Sequence, residues 1–152
     1  MDNPKVYVKN TRKFDKGVFA KEKIRKGEII AEFDGQVYSW RSTKWNEDLY
    51  NHTIQFEKKK WRDSKGIARL INHSCNPNCG IKDLFKIVAM RDIPAGSEIT
   101  WDYEMTERHP YWRMKCRCGH EDCRKIIGNY DNMPDKFRNK YKGYISEWLL
   151  KE

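Results

Sequence analysis

Asn72-His73-Ser74-Cys75-Asn76-Pro77-Asn78 and Cys116-Arg117-Cys118-Gly119-His120-Glu121-Asp122-Cys123 decide how this chain is read. The second stretch is a C-x-C-x4-C run, which offers three thiolates from one loop. Zinc in a structural site takes four soft ligands at tetrahedral corners. The fourth must come from far away in sequence, and Cys75 and Cys79 are the only other cysteines. Either choice would fasten the C-terminal segment to the Asn-His loop. The number of cysteines is odd and two are one residue apart, so metal ligation in a reducing, intracellular compartment fits better than a disulfide framework.

Working outward, 152 residues make one domain able to bury a core. Six Trp, eight Tyr and six Phe are too many aromatics for a disordered chain. No stretch is long and apolar enough to span a membrane, and Met1 to Lys5 has no apolar signal region. The net charge of +9 favours anionic partners such as nucleic acid or nucleoprotein. It equally fits a solvated basic surface. The densest run, Lys58-Lys59-Lys60-Trp61-Arg62, reads as a hairpin tip.

Short apolar runs broken by turns predict a mainly β fold with short helices. They are Val6-Tyr7-Val8, Gly17 to Ala20, Ile29 to Phe33, Thr53 to Phe56, Phe85 to Met90 and Glu98 to Trp101. Ile67 to Ile71 leads into the Asn-His loop. After Pro134, the residues Phe137, Tyr141, Tyr144, Ile145, Trp148 and Leu149 recur at helical spacing. They predict one helix with Gly143 inside it, at a cost of about 1 kcal/mol relative to Ala.

With Ile99-Thr100-Trp101-Asp102-Tyr103 between them, the two opening stretches resemble the SET-domain protein-lysine methyltransferases with a post-SET zinc cluster. The resemblance runs from about Phe14 to Ile127. It implies several small sheets around a pseudoknot (residues 1–108), a zinc-bound post-SET loop (109–128) and a C-terminal helical extension (129–152). It implies one structural zinc on Cys75, Cys116, Cys118 and Cys123, which leaves Cys79 as a spare buried thiol. Lys115, Arg117 and Arg124 would offset the charge of that cluster. It also implies S-adenosylmethionine as methyl donor, held by Lys16, Gly17, Val18, His52, Arg69, Asn72, His73, Tyr103 and Ile127. Tyr103 stands at the catalytic position, with Phe33 and Trp101 in the lysine channel. The partner implied is a protein with a target lysine, histone-like among others.

The chemistry asks for such a channel. A sulfonium leaves readily, so the enzyme must align a neutral amine and exclude water. A lysine pKa falls on desolvation and beside a cation. Three residues depart from the family pattern. Asp15 replaces a glycine, Phe33 replaces a tyrosine and His52 stands near where a tyrosine contacts the donor. A bulky indole at Trp101 narrows the channel and leans the product towards mono- or dimethyl-lysine. Two rival readings are a docking scaffold that has lost catalysis and a zinc-stabilised nucleic-acid binder.

Overall fold

The fold was obtained as a computed structural model, in which the residues described are 2–12 and 14–151. The strands in chain order are β1 (Val6–Asn10), β2 (Lys16–Ala20), β3 (Ile29–Glu32), β4 (Val37–Ser39), β5 (Ile54–Glu57), β6 (Lys60–Arg62), β7 (Asn72–His73), β8 (Cys79–Lys82), β9 (Lys86–Ala89), β10 (Glu98–Trp101), β11 (Met114–Lys115) and β12 (Ile126–Ile127). They form four small sheets ordered β1-β2-β10-β7, β3-β9-β8, β4-β6-β5 and β11-β12. The mainly β expectation holds, and Lys58-Lys59 is the turn between β5 and β6.

Most neighbours in these sheets are antiparallel, but β7 lies parallel to β10, with Asn72 opposite Thr100 and His73 opposite Trp101. That pairing sets the Asn-His dipeptide beside the strand that ends in Trp101. Asp102 and Tyr103 follow at once, and Asp102 caps the short 3-10 turn Tyr103–Met105 by accepting from the Glu104 amide. Ile24, Ile30, Ile54, Ile71, Ile81, Ile87, Ile93 and Ile99 are fully buried and join the sheets in one core. β-branched side chains suit such small pleated surfaces.

Ile67–Leu70, in the run that leads into the Asn-His loop, is a 3-10 turn. Two elements differ from the sequence expectation. A helix that periodicity missed, α1 (Glu47–His52), begins at Asn46, whose side chain accepts from the Leu49 amide at 2.9 Å. Six residues are too short for a hydrophobic period to register. The expected C-terminal helix is broken into α2 (Asp135–Lys140) and α3 (Glu147–Leu150). Gly143 has φ +91°, a left-handed conformation that glycine adopts without steric cost, so it ends a helical stretch instead of sitting within one. The apolar residues still face inward: Phe137, Tyr141, Ile145 and Leu149 are buried. Backbone bonds from Ile81 N to Tyr144 O (2.9 Å) and from Ser146 N to Met105 O (3.0 Å) pin the extension to β8 and to the Tyr103 turn.

Candidate active site

The four cysteines Cys75, Cys116, Cys118 and Cys123 converge, with all four sulfurs within 4.8 Å of one another. Cys75 Sγ and Cys116 Sγ are 3.6 Å apart. A tetrahedron with Zn–S bonds near 2.3 Å has edges of about 3.8 Å, so the spacing fits zinc. Burial pushes the Cys116 thiol up, and a bound cation is what would hold the sulfurs ionised there. Cys75, and not Cys79, lies with the three loop cysteines. Cys79 is fully buried away from the cluster, and desolvation pushes its thiol far up, as for an inert core residue.

Arg124 is the hub beside the cluster. Its backbone N and its Nε each donate to Cys75 Sγ at 3.4 Å. Its guanidinium donates to Glu104 Oε1 at 2.7 Å and to Asp102 Oδ2. Tyr141 Oη from the C-terminal extension donates to the same Asp102 oxygen at 2.9 Å. Phe137 covers the guanidinium at 4.4 Å from ring centroid. A cation enclosed by two carboxylates, a sulfur and a ring stays charged. The Glu104 Oε2 atom closes the network by accepting from Gly128 N at 2.8 Å. Lys115 and Arg117, expected to share this role, are exposed.

His73 links the cluster to Tyr103. Its Nδ1 accepts from the Tyr103 amide at 3.1 Å, and its Nε2 lies 3.5 Å from Cys75 Sγ. The first contact makes Nδ1 an acceptor, so Nε2 carries the proton and donates to sulfur. Burial drives the ring pKa down to about 4, so it is neutral at ordinary pH. Its side chain is therefore a brace between Cys75 and Tyr103.

Tyr103 points its hydroxyl at the Ile71 carbonyl, 2.6 Å away. Burial pushes that phenol well above its usual range. Trp101 packs on it at 4.9 Å between centroids, and Phe33 meets Trp101 edge-on at 6.2 Å. These three rings line a narrow cavity together with His52, Arg69, Glu107 and Trp112. Trp101 Nε1 is buried with no hydrogen-bond partner among the described residues. An orphan donor of this kind is costly in a core and is a ready contact for a ligand.

The residues expected to hold the methyl donor fall into groups. His52, Arg69 and Tyr103 share the cavity. Arg69 is held by Asp48 (2.6 Å) and Asp63 (2.9 Å), and His52 Nδ1 lies 2.7 Å from the Asp48 carbonyl. Lys16, Gly17 and Asn72 form a second group, because Asn72 Nδ2 donates to Lys16 O at 2.8 Å and to Glu98 Oε2 at 2.9 Å. Gly17 serves that contact. A Cβ there would lie 2.7 Å from Glu98 Oε2 and 3.2 Å from Asn72 Nδ2. Asp15 is not among the positive-φ residues, so its replacement of glycine strains nothing in the backbone. Val18 and Ile127 are fully buried in β2 and β12 and do not line the cavity. Sequence reasoning missed Glu107, Tyr50 and Trp112, which carry no motif. Their signal is only their nearness to Tyr103 and to the expected donor residues.

Comparison with known proteins bears on the family and the fold. The SET domain family model matches residues 15–104. The variant-silencing SET domain-containing protein of Plasmodium falciparum is 34% identical over 137 residues, which is 76% of this chain and 5% of that protein. Histone-lysine N-methyltransferase ASHR3 of Arabidopsis thaliana is 32% identical over 148 residues, covering 86% of this chain and 29% of that one. Among solved structures, KRYPTONITE in complex with mCHH DNA, H3(1-15) peptide and SAH superimposes with a TM-score of 0.64 at 23% identity, over 80% of this chain and 29% of that chain. A second KRYPTONITE complex, with mCHG DNA and SAH, gives the same TM-score at 25% identity, over 80% of this chain and 28% of that chain. The chain thus spans less than a third of the length of these relatives.

Proposed function

This chain belongs to the SET-domain family, and from that premise we propose that it transfers a methyl group from S-adenosylmethionine to a lysine amine of a protein substrate. The observation that carries the reading is the placing of Tyr103. Its ring packs 4.9 Å from that of Trp101 in the wall of the aromatic cavity, its hydroxyl is held by the Ile71 carbonyl, and its amide is anchored to His73. S-adenosylmethionine, when bound, supplies the methyl group on a sulfonium.

This chain's residues do the remaining work. Phe33, Trp101 and Trp112 exclude water and disfavour the charged form of an entering ammonium. The Tyr103 hydroxyl orients the amine, with the Ile71 carbonyl fixing its direction. Trp101 Nε1 is a donor only, so it suits a water and offers nothing to an ammonium. Its bulk and this contact support a mono- or dimethyl product.

One structural zinc on Cys75, Cys116, Cys118 and Cys123 completes the reading. It ties the post-SET loop to the Asn-His strand, and it supplies folding free energy there. Five unpaired cysteines accord with a reducing compartment. Relatives named as histone-lysine methyltransferases support a histone-like substrate, and no helix among the described residues is long and apolar enough to cross a membrane. Lys58, Lys59, Arg108 and Lys151 around Trp40 and Trp148 make a basic depression that would suit the nucleic acid of a nucleoprotein substrate.

The test is calorimetric titration of the zinc-replete chain with S-adenosylmethionine. Micromolar binding supports the reading. No binding by folded, zinc-loaded protein would sink it and leave a docking scaffold.

A further inference from the structure

Beside the channel lies a second cavity of about 270 Å³, walled by rings of Trp40, Trp45, Trp61, Tyr50, His109 and Trp112. The two cavities share Tyr50, Thr53, Glu107 and Trp112. Trp45 and Trp61 meet edge-to-face at 5.5 Å, and the His109 ring lies 5.9 Å from Trp61 and 6.4 Å from Tyr50. Ring faces turned into one space attract a cation, most strongly those of tryptophan. The outer rim already behaves so: the Arg41 guanidinium and the Lys59 ammonium lie 5.1 and 5.3 Å from the Trp40 ring.

Glu107 is the only carboxylate lining either cavity among the described residues. It is 8% exposed, and Oε2 accepts from the His109 amide at 3.0 Å. Burying a carboxylate among aromatic rings costs stability unless a cation joins it. Burial lifts its pKa to about 7, within reach of a proton at working pH. Hydrogen bonds from the His109 and Arg108 amides and from the Trp61 side chain partly offset that rise, and the other groups facing it do not cancel its charge. Arg69 is engaged by Asp48 and Asp63. His109 is held towards neutrality by burial, and Tyr50 is pushed up by burial and by Glu107 itself, with Arg113 opposing. His52 and Tyr103 lie on the channel side.

We propose that the aromatic cavity is the vestibule through which the acceptor's alkylammonium group enters, and that Glu107, at its junction with the channel, takes the ammonium proton before methyl transfer. This rests on the methyl-transfer reading. In the step, one N–H bond of the ammonium breaks and an O–H bond forms on the Glu107 carboxylate. Nitrogen keeps the electron pair, which then forms the N–C bond while the sulfur of the donor keeps the pair of the broken S–C bond. The proton on Glu107 leaves to solvent through the vestibule.

The test uses the full zinc-replete chain and two readouts. First, n-butylammonium chloride is titrated at pH 8 against tryptophan fluorescence, with 1-butanol as the neutral control. The wild type saturates with the ammonium and binds it about 10-fold more tightly than the alcohol. Glu107→Gln loses that preference, and Trp45→Leu, which keeps the carboxylate but removes a wall, weakens binding of the ammonium. Second, kcat is followed against pH with core histones as acceptor. The wild type shows a rising limb with an apparent pKa near 7. Glu107→Gln loses the limb and about 100-fold in kcat, with donor affinity unchanged.

If transfer proceeds in wild type and both variants with the same limb, and ammonium binding does not depend on Glu107, the inference is overturned while the proposed function stands. If wild type binds n-butylammonium through Glu107 yet moves no methyl group, the proposed function fails, and the proton-acceptor role fails with it.

Discussion

Tyr103 divides two regions of opposite character. On one side, the Cys75–Arg124–Asp102–Tyr141 network gives the buried ionic groups partners: one cation meets two carboxylates, a sulfur and an aromatic ring. On the other, the channel wall holds an indole N–H with no partner among the described residues and a buried carboxylate with its pKa lifted to about 7. The first region is a brace whose ionic side chains are paired with one another, beside four sulfurs placed to hold a metal. The second keeps unsatisfied chemistry in reserve, which is where strain in a fold points to function. His73 joins them, with one ring nitrogen on each side.

The sharpest way to break this contrast is to attack the brace. Arg124→Met removes the cation between two buried carboxylates, so stability should fall by about 3–5 kcal/mol. Urea unfolding of the zinc-loaded protein measures this; a loss below about 1 kcal/mol would show that the network is not what secures the post-SET loop. Strong chelation should act on the same region, disordering residues after about 110 in hydrogen exchange and abolishing donor binding.

Attacking the other side should spare the fold. Tyr103→Phe should cost about 100-fold in kcat, or ~2.7 kcal/mol in barrier, with thermal stability shifted by less than ~1 kcal/mol. An equal loss of both would make Tyr103 part of the brace.

Glu107→Gln should even stabilise the protein at high pH. The carboxyl pKa is raised from an ordinary 4.5 to about 7. The folded chain therefore holds a proton between these values that the unfolded chain releases. Stability tied to that proton is full below pH 4.5 and is lost as pH rises through 7. Glutamine suffers no such loss, so the variant should gain on the order of 2 kcal/mol at pH 8 and nothing at pH 4.5. Melting curves at both pH values read the difference, and a flat profile would contradict the lifted pKa.

The smallest effect belongs to Trp101→Phe. It removes the orphan donor and widens the channel, so higher methylation states should increase by about 10-fold relative to monomethyl product. Mass spectrometry of the product resolves them. An unchanged distribution would place product control elsewhere.

Much of the brace was legible in the sequence because it is written as local spacing. Three cysteines in one loop, an Asn-His-Ser-Cys run and a strand ending at Trp101 just before Tyr103 each announce themselves within a few residues. The Arg124 hub was half legible: its nearness to the cluster was expected, but its link to Asp102, Glu104 and Tyr141 needs the fold. The vestibule was not legible. Trp40 and Trp45 from one connection, Trp61 from β6 and Glu107 beyond the Tyr103 turn share no period and follow no motif. The C-terminal stripe was legible as buried residues but not as one helix, since an apolar period survives a turn at Gly143 that the backbone takes with φ +91°.

The most direct measurement is mass spectrometry of core histones incubated with S-adenosylmethionine and the zinc-replete chain, beside Tyr103→Phe. Lysine-linked mass gain in whole methyl steps with the wild type, and almost none with the variant, is the predicted result. Donor bound by calorimetry but no methyl gain on any histone lysine, or equal gain with both proteins, would contradict Tyr103 as the centre of a histone-directed transfer.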